Sequence, residues 1–384
     1  MLGSLSMNGV LRFALFLSVV LGTWTAMHLY LLHRVWRLPP LAAGPARRWA
    51  ILLLAVLWAL YPAGRVLARL LPGRSAYAME FAGAVWMGAL FLSMVCLLAT
   101  DLLSGFGVWL RPWTTHLRLG ALAAAGALSA VALVQGLRAP EVVRRTVVLP
   151  GLPEGLRGTR IVQVSDLHLG TLLGRRWLRR LVDQVQGLDP HLIVVTGDLV
   201  DGHLPDVEPL LPLMSEWRPP LGKWAVLGNH EFYAGADRSA GFLASAGWVV
   251  LRQEAAEAAP GLRIAGVDDL TARGQFGLAG DPVAEALGPG GAGALILLSH
   301  SPLRAEEAAT RGAGLMLSGH THGGQIWPFG LLVRLAYPRL EGTYRVGGMT
   351  LLVSRGTGTW GPPMRLFRRG EVALLTLVPT GGNP

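Results

Sequence analysis

Apolar positions along this chain fall into two regimes. In the first 140 residues they run unbroken for the length of a membrane span. Phe13–Leu32, Phe81–Thr100 and Leu119–Leu137 carry no charge, and Trp49–Gly64 continues past Arg65 to Leu71. About 20 apolar residues suffice to cross the hydrocarbon core of a bilayer. Trp49, Tyr77, Trp109 and Trp113 stand near the ends of these runs, where amphipathic rings favour the interface. The pattern predicts an all-α region over residues 1–140 with four transmembrane helices, at 13–32, 49–71, 81–100 and 117–137. A buried core helix would account for one such run, and a cleaved signal peptide for the first only. Four in succession point to a bilayer.

Past Ala139 the periodicity shortens. Residues 141–157, inside a charged stretch with Pro and Gly, read as a linker into a second domain at 158–380. There, short apolar runs alternate with helical patterns, which predicts an α/β layer structure. Strands are expected at Arg160–Ser165, Leu192–Thr196, Trp224–Leu227, Trp248–Leu251, Leu262–Val267, Leu295–Ser299, Leu315–Ser318, Met349–Val353 and Val372–Val378. Between the first two, Leu178, Leu181, Val182 and Val185 fall on one face of a helix over Arg176–Gln186.

Charge follows the same division. The net +10 of the 384 residues divides into 11 Arg against two acids in residues 1–140, and 23 Lys+Arg against 22 Asp+Glu in the remainder. The larger half lacks the basic stripe of a nucleic-acid binder, so no nucleic-acid partner is expected. The arginines instead flank spans, as in a multi-pass protein of the cell (inner or plasma) membrane, with membrane lipids as partners. Seven arginines near span ends on one side against six on the other leave the orientation of the second domain open. Cys96 is the single cysteine, so no intrachain disulfide can form.

Five predicted strands end in a polar group: Asp166-Leu-His168, Gly197-Asp198, Gly228-Asn229-His230-Glu231, His300, and Gly319-His320-Thr321-His322. Ligands of α/β sheets sit beyond the carboxyl ends of strands, so all five can converge. Singly these are turn residues or surface histidines; together, in this order, they make a site. Carboxylate, imidazole and one amide oxygen, without thiolate, suit divalent Mn, Fe or Zn, with Mn favoured. Seven candidate ligands exceed what one ion needs. Two ions about 3.5–4 Å apart, sharing one carboxylate, would use them all and clamp a phosphoryl centre.

This series resembles the signature of calcineurin-like metallophosphoesterases. The wording Ser165–Gly170 and Gly319–Gln325 is similar to the bacterial membrane-associated branch, which includes enzymes acting on UDP-2,3-diacylglucosamine and relatives attached to the cell envelope. The resemblance implies a four-layer fold, two packed sheets flanked by helices. It implies one ion on Asp166, His168, Asp198 and His322, and a second on Asp198, Asn229, His300 and His320. It further implies that His230 faces the phosphate, oriented by a carboxylate, for which Glu231 is the adjacent candidate and Asp198 or Asp201 could serve. The reaction would be hydrolysis of a phosphomonoester, phosphodiester or pyrophosphate, of a small-molecule or lipid substrate, by a metal-bridging hydroxide. Lipid-directed members often carry Arg where this chain has His230, which points to a more general phosphoesterase. A silent metal-binding or sensor domain is the alternative; a transporter would need polar groups within its spans, and no His-Glu-x-x-His protease motif occurs.

Two further features have two readings each. Asp268-Asp269 could be a second acid pair or a strand-terminal turn. The Gly-rich loop Ser354–Gly361, with Arg355, could border the cleft or simply turn the chain.

Overall fold

The computed structural model describes residues 7–39, 44–71, 73–201, 203–289 and 291–381, and the chain divides into two compact units.

The first unit holds four long helices: α1 (Met7–Val35), α2 (Pro45–Leu70), α3 (Arg74–Leu103) and most of α4 (Thr114–Leu137). Three helical stretches among the described residues, Pro45–Leu70, Arg74–Leu103 and Arg111–Leu137, are long and apolar enough to cross a membrane. The run read as the first span lies in α1, a 29-residue helix some of whose side chains fall outside the described residues. Trp49, Leu52, Leu53 and Val56 on α2 are exposed, as an apolar surface turned to lipid would be. Inside, α2 and α3 approach so closely that a Cβ on Gly83 would lie 2.5 Å from the Tyr61 backbone. The two acids of this region are both buried and paired. Glu80 accepts from Arg65 at 2.8 Å, and Asp101 meets Arg34 at 2.7 Å and the Tyr30 hydroxyl at 2.5 Å. Charges in a low-dielectric setting require such partners.

The second unit contains two mixed six-stranded sheets. The strands are β1 (Glu141–Val148), β2 (Arg160–Val164), β3 (Leu192–Thr196), β4 (Lys223–Val226), β5 (Trp248–Val250), β6 (Glu254–Ala259), β7 (Leu262–Val267), β8 (Ala294–Ser299), β9 (Leu315–Ser318), β10 (Gly342–Val346), β11 (Met349–Val353) and β12 (Glu371–Val378). One sheet runs β1-β12-β2-β3-β4-β5, the other β10-β11-β9-β8-β7-β6. Central strands are apolar on both faces, because both faces are covered. On β3, Leu192 and Val194 point into the core between the sheets, while Ile193 and Val195 pack under the outer helices. On β8, Ile296 and Leu298 point inward, and Leu295 and Leu297 pack outward with Val283, Ala286 and Ala305. Helices α5 (Arg175–Gln186), α6 (Leu211–Met214), α7 (Asn229–Ala234) and α8 (Ala236–Ser245) cover the first sheet; α9 (Leu270–Phe276), α10 (Pro282–Leu287), α11 (Ala305–Thr310) and α12 (Gly330–Ala336) follow in the second half. Helix, sheet, sheet, helix is a four-layer arrangement.

Residues 141–148, inside the segment read as a linker, are a strand. β1 pairs in parallel with β12 over eight positions, Glu141 opposite Glu371 to Val148 opposite Val378. Pro140 and the glycines after Val148 obscured two Val-Val pairs that favour extended backbone. β6 and β10 were also unanticipated. Both are edge strands, and β6 reads Glu-Ala-Ala-Glu-Ala-Ala without a β-branched residue.

Candidate metal centre

The carboxyl ends of β2, β3, β4, β8 and β9 deliver their polar residues to one place. Three groups of potential ligands form there, each with donor atoms within 4.8 Å of one another: Asp166, His168 and His322; His168, Asp198 and His230; and Asp198, His300 and His320. His168 and Asp198 each belong to two groups, so the cluster is continuous.

The backbone is bent to make this possible. Asp166, His168, Asp198, His320 and His322 all have positive φ, between 46° and 73°. A non-glycine residue in this region is strained by about 1–3 kcal/mol and persists where surroundings over-determine it. Two glycines bring the loops together. A Cβ on Gly228 would lie 2.2 Å from Asp198 Oδ1, and one on Gly319 would lie 1.9 Å from Ser165 Oγ.

Hydrogen bonds then aim the donor atoms. His300 is fully buried, and its Nδ1 donates to the Thr196 carbonyl at 2.7 Å. A carbonyl only accepts, so Nδ1 keeps its hydrogen and Nε2 faces the centre, 3.1 Å from Asp198 Oδ2 and 3.1 Å from His320 Nδ1, holding a proton toward Asp198 or, once that proton is displaced, a lone pair for a cation. His320 places Nε2 against the Tyr337 hydroxyl at 2.8 Å and Nδ1 3.1 Å from Asn229 Oδ1. His168 and His322 face each other, Nε2 to Nε2, across 3.1 Å; Asp166 Oδ1 lies 3.5 Å from His322 Nε2 and Asp198 Oδ2 lies 3.7 Å from His168 Nε2. Asp166 accepts from Ser165 Oγ at 2.6 Å and from the His320 amide, and Asp198 Oδ1 accepts from the His230 amide at 2.9 Å.

Burial lowers the pKa of His168 and His322 well below the ordinary imidazole range, helped by His230 beside the first and by the Arg365 guanidinium beside the second. Burial and His300 lower His320. These rings are therefore neutral near pH 7. Burial would also lower His300, but the Asp198 carboxylate outweighs it and holds His300 well above the usual value. Lone pairs of oxygen and nitrogen crowd one another at 3.1–3.7 Å with few donors between them. Such a donor set suits a cation shared among its members. The residues fit divalent ions, and the absence of thiolate argues against a structural zinc.

Each expected site residue lies in this cluster except Glu231, whose place differs from expectation. Its carboxylate is fully buried and accepts from three backbone amides: Asp198 at 2.9 Å, Val200 at 2.9 Å and Gly228 at 2.8 Å. Burial and the Asp198 charge push its carboxyl up to about 7. It fastens the β3 and β4 loops to each other and does not orient His230. The carboxylate beside His230 is Asp201, whose Oδ1 lies 3.6 Å from His230 Nδ1 and 3.8 Å from His168 Nδ1. The pattern Gly-x-x-Glu at the start of α7 is the signal for this, because a glutamate at the third helical position reaches back to the cap amide.

Tyr337 and Arg365 were not singled out in the sequence. Arg365 is buried, and its guanidinium donates to the carbonyls of His322, Arg355, Gly356 and Gly358 at 2.7–3.2 Å. Burial lowers it to about 10, so it stays charged. The Gly-rich loop borders the centre: Thr357 and Gly358 amides donate to the carbonyls of Ser165 and Asp166. Arg355 itself is engaged by Glu141 and Glu371. Asp268 is held by Arg252 and Gln253, while Asp269 caps α9 through the Ala272 amide, so this pair is structural.

Tyr337→Phe removes the hydroxyl at His320 Nε2 and should weaken metal binding about 10–100-fold, the usual cost of losing such an orienting partner. A competition titration against a chromogenic chelator reads the change; unaltered affinity would show the contact to be incidental.

Residues 159–324 match the family described as calcineurin-like phosphoesterase. The chain is 37% identical over 239 residues to an uncharacterized metallophosphoesterase of Aquifex aeolicus, covering 62% of this chain and 91% of that one. A transmembrane protein with metallophosphoesterase domain from Danio rerio is 36% identical over 270 residues, covering 67% of this chain and 62% of the relative, so this chain spans less than two thirds of that protein. The uncharacterized metallophosphoesterase YkuE of Bacillus subtilis is 32% identical over 255 residues, covering 62% of this chain and 86% of that one.

Proposed function

We propose a membrane-bound, dinuclear phosphoesterase, a reading that starts from one premise: this chain belongs to the calcineurin-like phosphoesterase family, hydrolases acting on phosphoester bonds. The observation that carries it is the position of Asp198, shared between the His168 side and the His300–His320 side of one cluster. Asp166, His168, Asp198 and His322 would hold one divalent ion; Asp198, Asn229, His300 and His320 would hold the other. The ions, when bound, would polarise the phosphoryl oxygens and supply a water-derived nucleophile at neutral pH.

The chain's own groups do the rest. The Thr196 carbonyl fixes the tautomer of His300 and the Tyr337 hydroxyl orients the His320 ring, so the ligand atoms are set before substrate arrives. His230, with Nδ1 toward Asp201, presents its other nitrogen to the phosphate, where it stabilises developing charge or protonates the leaving oxygen. Asp201 is a positioning residue. Asp201→Asn should lower kcat about 10–100-fold at saturating metal with little change in KM, an estimate at the low end for acid–base groups. Steady-state kinetics separate the two, and a rise in KM alone would assign Asp201 to substrate binding.

Four spans would anchor the enzyme in the cell membrane. The substrate class is a phosphomonoester, phosphodiester or pyrophosphate of a lipid or envelope molecule, with manganese the favoured ion. A panel of chromogenic monoester and diester and a lipid pyrophosphate, offered to the detergent-purified full chain with Mn²⁺, tests this. Turnover of any one supports the reading and the ratios rank the classes; turnover of none by metal-loaded protein would oppose it in favour of a silent metal-binding domain.

A further inference from the structure

Helix α12 and its surroundings are apolar where a water-facing loop should not be. Ile326–Tyr337 contains no acid and a single charge, Arg334. None of the seven residues of α12 is buried. Leu331 is 60% exposed, Leu332 59% and Leu335 83%, and beside them Trp327, Phe329 and Phe367 are also exposed. The rings of Trp327 and Phe367 lie 5.9 Å apart, so the patch is contiguous. Clustered large apolar side chains on a surface mark an interaction site, whereas single ones need no explanation.

What lies next to the patch identifies its occupant. A cavity of about 410 Å³ is lined by Phe367, Arg368 and Arg369 together with Gln135 and Arg138, the end of α4 and the residue following it. Only three residues separate Leu137 at the end of α4 from Glu141 at the start of β1, a reach of about 10 Å. Gln135 and Arg138, which belong to the second unit and lead out of α4, therefore share a cavity wall with Phe367. A second cavity of about 270 Å³ shares Phe367 and Arg368 with the first, takes in Leu331 and Arg334 of α12, and ends at His322 of the metal cluster. Arg355 and Arg368 are paired with Glu141 and Glu341, which line the same cavities. Arg138, Arg334 and Arg369 beside exposed aliphatic and aromatic side chains match the charge and polarity of a bilayer surface, acyl chains against the apolar groups and anionic headgroups against the guanidinium groups.

We propose that α12 with Trp327 and Phe367 is a membrane-docking element that enters the bilayer interface and sets the mouth of the metal centre at headgroup level. It rests on the membrane reading of α4. Lipid phosphates would then approach the cluster along the arginine-lined cavity from the interface, without passing through water.

The test uses full-length protein in proteoliposomes, with Cys96→Ser as background and one spin-labelled cysteine at a time: Leu335→Cys, Leu332→Cys, Ala127→Cys within α4, and Arg311→Cys on the far end of α11. Collision with lipid-soluble oxygen and with a water-soluble nickel chelate is read by power saturation. The expected result is a several-fold higher oxygen-to-nickel ratio at 335 and 332 than at 311, approaching that at 127. If 335 and 332 collide with nickel as 311 does while 127 stays in lipid, docking is wrong and the span stands. If 127 too is aqueous, the membrane reading fails and docking with it.

Discussion

Replacing Asp198 with Ala is expected to abolish hydrolysis and to empty both metal positions. The side chain is 3% exposed and stands between the two halves of the cluster, 3.1 Å from His300 Nε2 and 3.7 Å from His168 Nε2. Its pKa is informative: burial would raise it, yet His300 and His230 hold it well below the usual carboxylate value. An anion kept charged in a buried place among imidazoles is suited to bind cations. Without it, several neutral imidazoles would have to hold two dications with one remaining carboxylate. Turnover should fall by at least about 10³-fold, more than removal of one transition-state donor costs, and elemental analysis should find bound metal well below that of the unaltered protein. Retention of full metal with lost turnover would instead make Asp198 an acid–base group.

The second large effect concerns Glu231, and it is one of stability. Glu231→Gln leaves a carbonyl oxygen for one side of the loop pair and turns an NH₂ toward a backbone donor on the other. Buried donors without acceptors cost about 1–3 kcal/mol each. With amides of Asp198, Val200 and Gly228 all dependent on this carboxylate, a loss of about 3 kcal/mol is expected. For a domain of this size that lowers Tm by roughly 6–12 °C. A residue that merely oriented His230 would lower kcat and leave Tm where it was. Differential scanning calorimetry with kinetics on the same preparation distinguishes the two.

This contrast also shows where sequence reasoning stops. The strands under the metal cluster were readable because central strands covered on both faces are uninterrupted apolar runs, and each ended in a polar residue. Asp166, His168, Asp198, Asn229, His300, His320 and His322 could be assembled on paper for that reason. Glu231 could not be placed by adjacency: it is next to His230 in the chain, but a helix turns successive side chains about 100° apart, and the cap amide claims it. Tyr337 lies 17 positions from His320 at the end of a helix whose apolar residues face outward, so no periodicity tied it to the site. Arg365 answers only to carbonyls, which carry no sequence signal. β1 was lost because its partner β12 is more than 200 residues away; pairing at that separation is decided by the fold and not by local propensity.

The proposed membrane attachment would add a constraint that the second unit alone does not suggest. Three residues separate α4 from β1. A phosphoesterase anchored as proposed would meet substrates at the interface more often than in bulk water, which agrees with exposed Leu332 and Leu335 near a cavity that reaches His322.

The most direct test of the central claim is hydrolysis of a chromogenic phosphoester by the detergent-purified full chain, stripped by chelator and then titrated with Mn²⁺. The account predicts no turnover in chelator and recovery that is complete only when two equivalents are bound per chain. Turnover that persists in chelator, or that is complete at one equivalent, would contradict a two-metal centre built on Asp198.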